Sequence, residues 1–211
     1  TIITVLMIYF TEFSLFEVQS LFLTKFFSIK VIAISFTLIG ILATMNSWNF
    51  IDGLNGLSSG LAITSITTLS IICFKYNIDY YNFGLLLASS VLGFWALNIY
   101  SGRIFLGDSG SLSLGFTVSI FGIICVSTIP EISAWSVFLI IIYPATELIM
   151  SFFRRVLFGK NPFIADKYHL HSILYSLLNQ NLSNKNFVNS LSVFFLTFLG
   201  SIPAIACIKF Q

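Results

Sequence analysis

The sequence predicts an all-α fold, a polytopic transmembrane helical bundle with about six full spans plus a partial N-terminal span, forming a single membrane-embedded domain over residues 1–211. Three observations carry this prediction. Apolar residues make up 57% of the chain and charged residues only 9%, and the mean hydropathy is +0.96. That leaves too little polar surface to solvate a globular domain of this size. Apolar stretches of roughly 20 residues, long enough to cross about 30 Å of hydrocarbon, recur along the whole chain. No internal repeat or low-complexity linker divides it.

The partial span is read at 1–10, where the chain enters directly in an apolar run with neither an initiator Met nor the basic lead of a signal peptide. A fragment missing its start is therefore expected. Full spans follow near 29–45, 57–74, 83–98, 111–129, 134–153 and 187–208. Counting crossings brings the segments 46–56, 99–110 and 154–186 out on one side of the bilayer. That side carries Arg103, Arg154, Arg155, Lys160, Lys167 and Lys185, whereas Lys25, Lys30, Lys75 and Lys209 fall on the other. Basic residues mark the cytoplasmic face, so the three polar segments are expected there. Cys73, Cys125 and Cys207 each sit in an apolar segment, too scattered for a disulfide framework or CxxC-type metal spacing. They read as packing residues, on the lipid side or in the core. A dispersed net charge of +2 excludes nucleic acid as a partner.

The first polar segment reads NSWNFIDGLNGLSSG. If it continues the preceding helix, Asn46, Asn49, Asp52, Gly53, Gly56 and Gly60 share an arc of about 120°. Glycines beside a carboxylate and two amides let phosphates or a sugar approach the backbone. The alternative is a small-residue packing face with the Asn side chains as interhelical glue. The second segment, GRIFLGDSGSLSLGF, sets Asp108 between Gly107 and Ser109 in a turn entering the next span. Turn chemistry accounts for these residue types, and Asp108, Ser109 or Ser111 could simply cap that helix. The same carboxylate, flanked by free backbone amides, could hold Mg²⁺ bridged to phosphate oxygens. Magnesium takes one or two protein carboxylates, and Asp108 with Asp52 would supply them. The third segment, RRVLFGKNPFIADKYHLHSIL, joins basic residues to His169 and His171, with Asp166 as cap of a following helix. Residues two apart do not share a helix face, which excludes a zinc-type His pair on one side of a helix. The histidines with Arg154, Arg155 and Lys167 could instead donate hydrogen bonds to a phosphate, or the basic residues could serve topology alone.

Together NxxNxxDGLxGL, FLGDSGSLxLG and RRxxxGxNPFxxDKxHLH, in this order, resemble the polyprenyl-phosphate N-acetylhexosamine-1-phosphate transferases of glycosyltransferase family 4, from about residue 36 to 178. The resemblance implies a multi-pass enzyme of the bacterial inner membrane with cytoplasmic catalytic loops. Such an enzyme transfers a sugar phosphate from a UDP-N-acetylhexosamine to undecaprenyl phosphate, releasing UMP, with Mg²⁺ or alternatively Mn²⁺. Carried over, Asp52, Asp108, His169 and His171 would be catalytic, with Asp108 as the metal ligand. Asn46, Asn49, Gly53, Asn55, Gly107, Ser109, Arg154, Arg155 and Lys167 would bind substrate. The segment from NPF to HLH is closer to the branch that primes O-antigen, teichoic acid or other cell-surface glycans than to the muramoyl-pentapeptide branch. Three departures stand out. The family's Asp-Asp pair has no counterpart in this sequence and would lie upstream of Thr1; Asn55 replaces an Asp; Ser172 replaces a His. The rival readings are an inactive fragment or degenerate homologue lacking the Asp-Asp pair, and a small transporter subunit. Motifs at one membrane face instead of the midplane argue against the transporter.

Overall fold

In the computed structural model, residues 29–159, 161 and 168–210 are described. The partial span at 1–10, Asp166 and Lys167 lie outside the described residues. The described residues form helices and no strand: α1 Lys30–Ile51, α2 Leu57–Lys75, α3 Tyr80–Ser101, α4 Gly107–Thr128, α5 Ala134–Ile140, α6 Ile142–Leu157, α7 Leu170–Asn181 and α8 Lys185–Phe210. Five of them, α1 to α4 and α8, are long and apolar enough to cross a membrane. A helix satisfies every backbone donor and acceptor within its own segment, which hydrocarbon cannot do for it. The central helix is α2, with 72% of its apolar stretch buried inside the protein against 22% for α3. It packs against α3, α4 and α8, while α1 packs against α4 and α6.

The span expected at 134–153 is not continuous. Helices α5 and α6 are bent by 83° at Ile141. Pro144 explains the break, because it has no N–H to give the carbonyl of Ile140, the last residue of α5, and its ring crowds that carbonyl. With the bent pair taken as one broken span, the total reaches six. The bend changes what α6 presents. Tyr143, Glu147, Ser151 and Arg155, spaced by four, are buried, whereas Met150, Phe153 and Leu157 are exposed on the opposite face.

The close approach of α1 and α4 depends on Gly115. A Cβ there would meet Met45 Cα at 2.7 Å and the Thr44 carbonyl oxygen at 2.9 Å, so only glycine permits this contact. The cysteines are core residues. Two of them, far apart in sequence, are neighbours: Cys73 Sγ and Cys125 Sγ lie 3.4 Å apart as free thiols.

Candidate functional site

Two straight spans build one wall of the site. The last turn of α1 carries Asn49 and the first turn of α4 carries Asp108, and Gly115 holds these helices together. The Asn49 amide donates to Asp108 Oδ1 and to Ser111 Oγ, both at 3.1 Å. The buried Ser111 hydroxyl donates in turn to the carbonyl of Gly107 at 3.0 Å. Leu106 is the N-cap of α4, without a side-chain hydrogen bond. Asp108 is therefore not a cap; it stands within the first turn, where the helix dipole favours a negative charge. Gly107 and Ser109 are exposed beside it. Asp52 follows the end of α1. Burial pushes its carboxyl up to about 7, and the negative charge of Asp108 adds to the shift.

The arc expected to run on from α1 does not form, because that helix stops at Ile51 and α2 starts only at Leu57. The residues beyond the break separate. Gly53 meets His171, and a Cβ on it would collide with His171 Nε2. Gly56, at φ +98°, and Gly60 pack against Trp95, whose Nε1 donates to the Gly56 carbonyl at 3.0 Å. These two glycines follow the packing alternative. Asn46 folds back on its own helix, donating to the Leu42 carbonyl at 2.7 Å. Asn55 is clamped through its backbone by Asn189 of α8, with bonds of 3.1 and 3.0 Å, and its side chain lies over Gly102.

The second wall comes from α6 and the start of α7. Glu147 accepts from His169 Nδ1 at 3.2 Å and from the Leu170 N–H at 2.8 Å. His169 precedes α7 with an extended backbone, φ −85° and ψ 147°, whereas His171 lies in the first turn. Because the helix boundary falls between them, the rings stack, 5.3 Å apart and 6° from parallel. Both are buried. Burial holds the His171 imidazole down to about 4, so it is neutral at physiological pH, and its buried Nδ1 has no hydrogen-bond partner among the described residues. Phe50 joins the walls: its ring meets His169 edge-on at 5.6 Å and carries the Arg155 guanidinium at 5.3 Å. Arg155 also donates to Ser151. Arg154 stacks on Tyr168 at 5.9 Å.

The structure thus gathers Asn49, Asp52, Gly53, Asp108, His169, His171 and Arg155 at one end of the bundle, as crossing parity required. Sequence reasoning missed Glu147, Phe50 and Asn189. The signal for Glu147 was available, since an ionisable residue inside an apolar stretch is itself a functional candidate. Among the described residues no three His, Cys, Asp or Glu side chains gather as a metal cage. Two carboxylates whose charges oppose each other, with an amide orienting one of them, do suit a cation that completes its coordination with water and ligand phosphates.

Beside the site, a cavity of about 430 Å³ lies between α1, α4, α5 and α6. Apolar side chains such as Phe36, Ile39, Val118 and Phe138 line it, and along α1 it reaches Ser47, two residues before Asn49.

Fold and site together define a multi-pass helical membrane protein with a polar, acid- and imidazole-lined site at one bundle end. The chain belongs to glycosyl transferase family 4, whose family model matches residues 1–126. It is 31% identical to the “Probable undecaprenyl-phosphate N-acetylglucosaminyl 1-phosphate transferase” of Bacillus subtilis, covering 87% of this chain and 51% of that protein. It is 30% identical to the decaprenyl-phosphate N-acetylglucosaminephosphotransferase of Mycobacterium tuberculosis, over 69% of this chain and 41% of that protein. It is also 30% identical to the phospho-N-acetylmuramoyl-pentapeptide-transferase of a Thermoanaerobacter species, over 78% of this chain and 52% of that protein. The chain thus spans about half the length of these relatives.

Proposed function

We propose that the full-length protein transfers N-acetylhexosamine-1-phosphate from a UDP-N-acetylhexosamine to undecaprenyl phosphate, releasing UMP. This would be the priming step of a cell-surface glycan such as O-antigen or teichoic acid, with the motif loops on the cytoplasmic side of the inner membrane. The observation that carries the proposal is the Asn49 amide bridging Asp108 and Ser111 beside a carboxyl, Asp52, that resists ionising next to Asp108. Such a pair calls for a cation, and the family and its named relatives supply the reaction class.

In the reaction, a phosphate oxygen of the lipid attacks the β-phosphorus of the nucleotide sugar, and the bond from that phosphorus to the oxygen of the departing UMP breaks. Mg²⁺, held by Asp108 with Asp52, would neutralise the diphosphate and the leaving phosphate. Asn49 orients the Asp108 carboxylate. Gly53, bare of a Cβ, lets the His171 ring seat against the backbone next to Asp52. His169 and Arg155 place hydrogen-bond donors and positive charge near the opposite wall, where negative charge accumulates as UMP departs. The apolar cavity suits a polyprenyl tail whose phosphate emerges near Asn49.

The test is UMP release by purified full-length protein in detergent, with UDP-N-acetylglucosamine and undecaprenyl phosphate. Turnover that needs both substrates and Mg²⁺ is expected. No UMP with any UDP-N-acetylhexosamine, from a folded full-length preparation, would sink the proposal.

A further inference from the structure

Glu147 is a carboxylate buried in α6, 7% exposed, in a stretch otherwise apolar in sequence. A buried carboxylate is costly unless its oxygens are satisfied. Three donors reach this one. His169 Nδ1 and the Leu170 N–H lie at 3.2 and 2.8 Å, and the Tyr143 hydroxyl donates from one turn earlier on α6 at 3.4 Å. Two of the donors belong to the same short stretch, the last residue before α7 and the first residue within it. One carboxylate therefore orients the His169 ring and anchors the helix that follows.

We propose that Glu147 is a positioning residue for the histidine pair: it keeps the proton on His169 Nδ1, turns Nε2 toward the ligand space, and fixes the start of α7 so that His171 stacks behind it. This role deepens the transferase reading and rests on it. The chemistry follows from the ring itself. An imidazole whose Nδ1–H is held by a carboxylate keeps that proton whether the ring is neutral or charged, so the nitrogen offered to an anionic phosphate is always Nε2. When the ring carries its second proton, Nε2 is the donor that a phosphate meets. The groups facing His169 from each packed element are consistent with this. Phe50 of α1 covers one edge, Arg155 of α6 lies across that same phenyl ring, and His171 of α7 covers a face. Among the described residues Glu147 is the acidic partner of the pair. A cap alone would bind Leu170 N–H and leave the ring to turn.

The test uses the full-length protein, with two readouts. In ¹⁵N-histidine-labelled enzyme, the signal of His169, assigned as the one lost in His169→Gln, should show a protonated Nδ1. In turnover, Glu147→Gln should lower kcat roughly 10- to 100-fold, the usual range for a group that orients a functional imidazole, with KM for the nucleotide sugar much less affected. Glu147→Asp, which keeps the charge, should restore part of kcat and the Nδ1 proton signature. An unprotonated Nδ1 on His169 in the unmodified enzyme overturns the proposal, and this measurement stands even if the Gln variant does not fold. So does a folded Glu147→Gln variant with unchanged kcat. If the unmodified enzyme releases no UMP, the transferase reading fails, while the labelled spectrum still decides whether Glu147 holds the ring.

Discussion

The two walls of the site are built on opposite plans. The carboxylate wall, Asn49, Asp52, Asp108 and Ser111, stands at the mouths of two straight spans. Asp108 is exposed, and its neighbour Asp52 is hard to ionise, first through burial and then through the charge of Asp108. The imidazole wall, Glu147, His169 and His171, is buried and cross-braced on a bent helix and the short helix after it. An open pair of acids needs a counter-ion to be at ease; a braced imidazole pair is ready before any ligand arrives. On the proposed reading, the first wall would dock a cation, and the second would be a preorganised surface for an anion.

This contrast can be broken at either wall, and the largest effect is expected at the first. Asp108→Asn removes the exposed carboxylate and should cut Mg²⁺-dependent UMP release by roughly 1000-fold, since a misplaced cation forfeits several kcal/mol of transition-state stabilisation; a Mg²⁺ titration of initial rates checks it. Unchanged rates would mean that the cation sits elsewhere.

The second effect is on pH. The folded-state value of His171, about 4, lies below its ordinary 6.5, so its contribution to stability is complete above pH 6.5 and is lost as pH falls toward 4. About 3 kcal/mol is at stake over that window, read as the acid-side loss of thermal stability in detergent. His171→Gln should remove most of that loss.

The smallest effect has the opposite sign. Asp52 is raised, so without divalent cations stability is complete below its ordinary value, near 3.8, and declines as pH rises toward 7. Because the group is partly exposed, about 1 kcal/mol is the reasonable scale. Asp52→Asn should remove this opposing slope between about pH 3.8 and 7, leaving the acid-side loss due to His171 steeper, and added Mg²⁺ should weaken it in the unsubstituted protein. If His171→Gln and Asp52→Asn shifted the stability slope between pH 4 and 7 in the same direction, the contrast between the walls would be erased.

Much of the fold could be read from the sequence, because a hydrocarbon solvent leaves few choices. Five expected spans appear as helices with ends shifted by a few residues. The sixth appears as a bent pair instead of a straight span, because Pro144 sits inside an apolar run that hydropathy alone treats as uniform. The site was legible where chemistry and turn signals coincide, at Asn49, Asp52 and Asp108. Glu147 could be flagged as an ionisable residue in an apolar run, but its partners appear only when the bend aims α6 across the bundle. The histidines show the limit of a spacing rule. Two residues apart within one helix they would diverge, but His169 lies just outside α7 and His171 just inside, and the rings stack. Asn55, expected to bind substrate, is instead held against α8.

Gly115, a residue with no chemistry of its own, governs the spacing of the carboxylate wall. Counting back along α4 from Gly115, one turn reaches Ser111 and nearly two reach Asp108, all on the stripe that faces α1. The glycine acts as a fulcrum. Any side chain there would press on α1 backbone instead of a yielding side-chain tip and lever the two helix ends apart, parting Asn49 from Asp108 two turns away. The tolerance of the Asn49–Asp108 contact to distortion is thus set deep in the bundle, by how closely two backbones can touch.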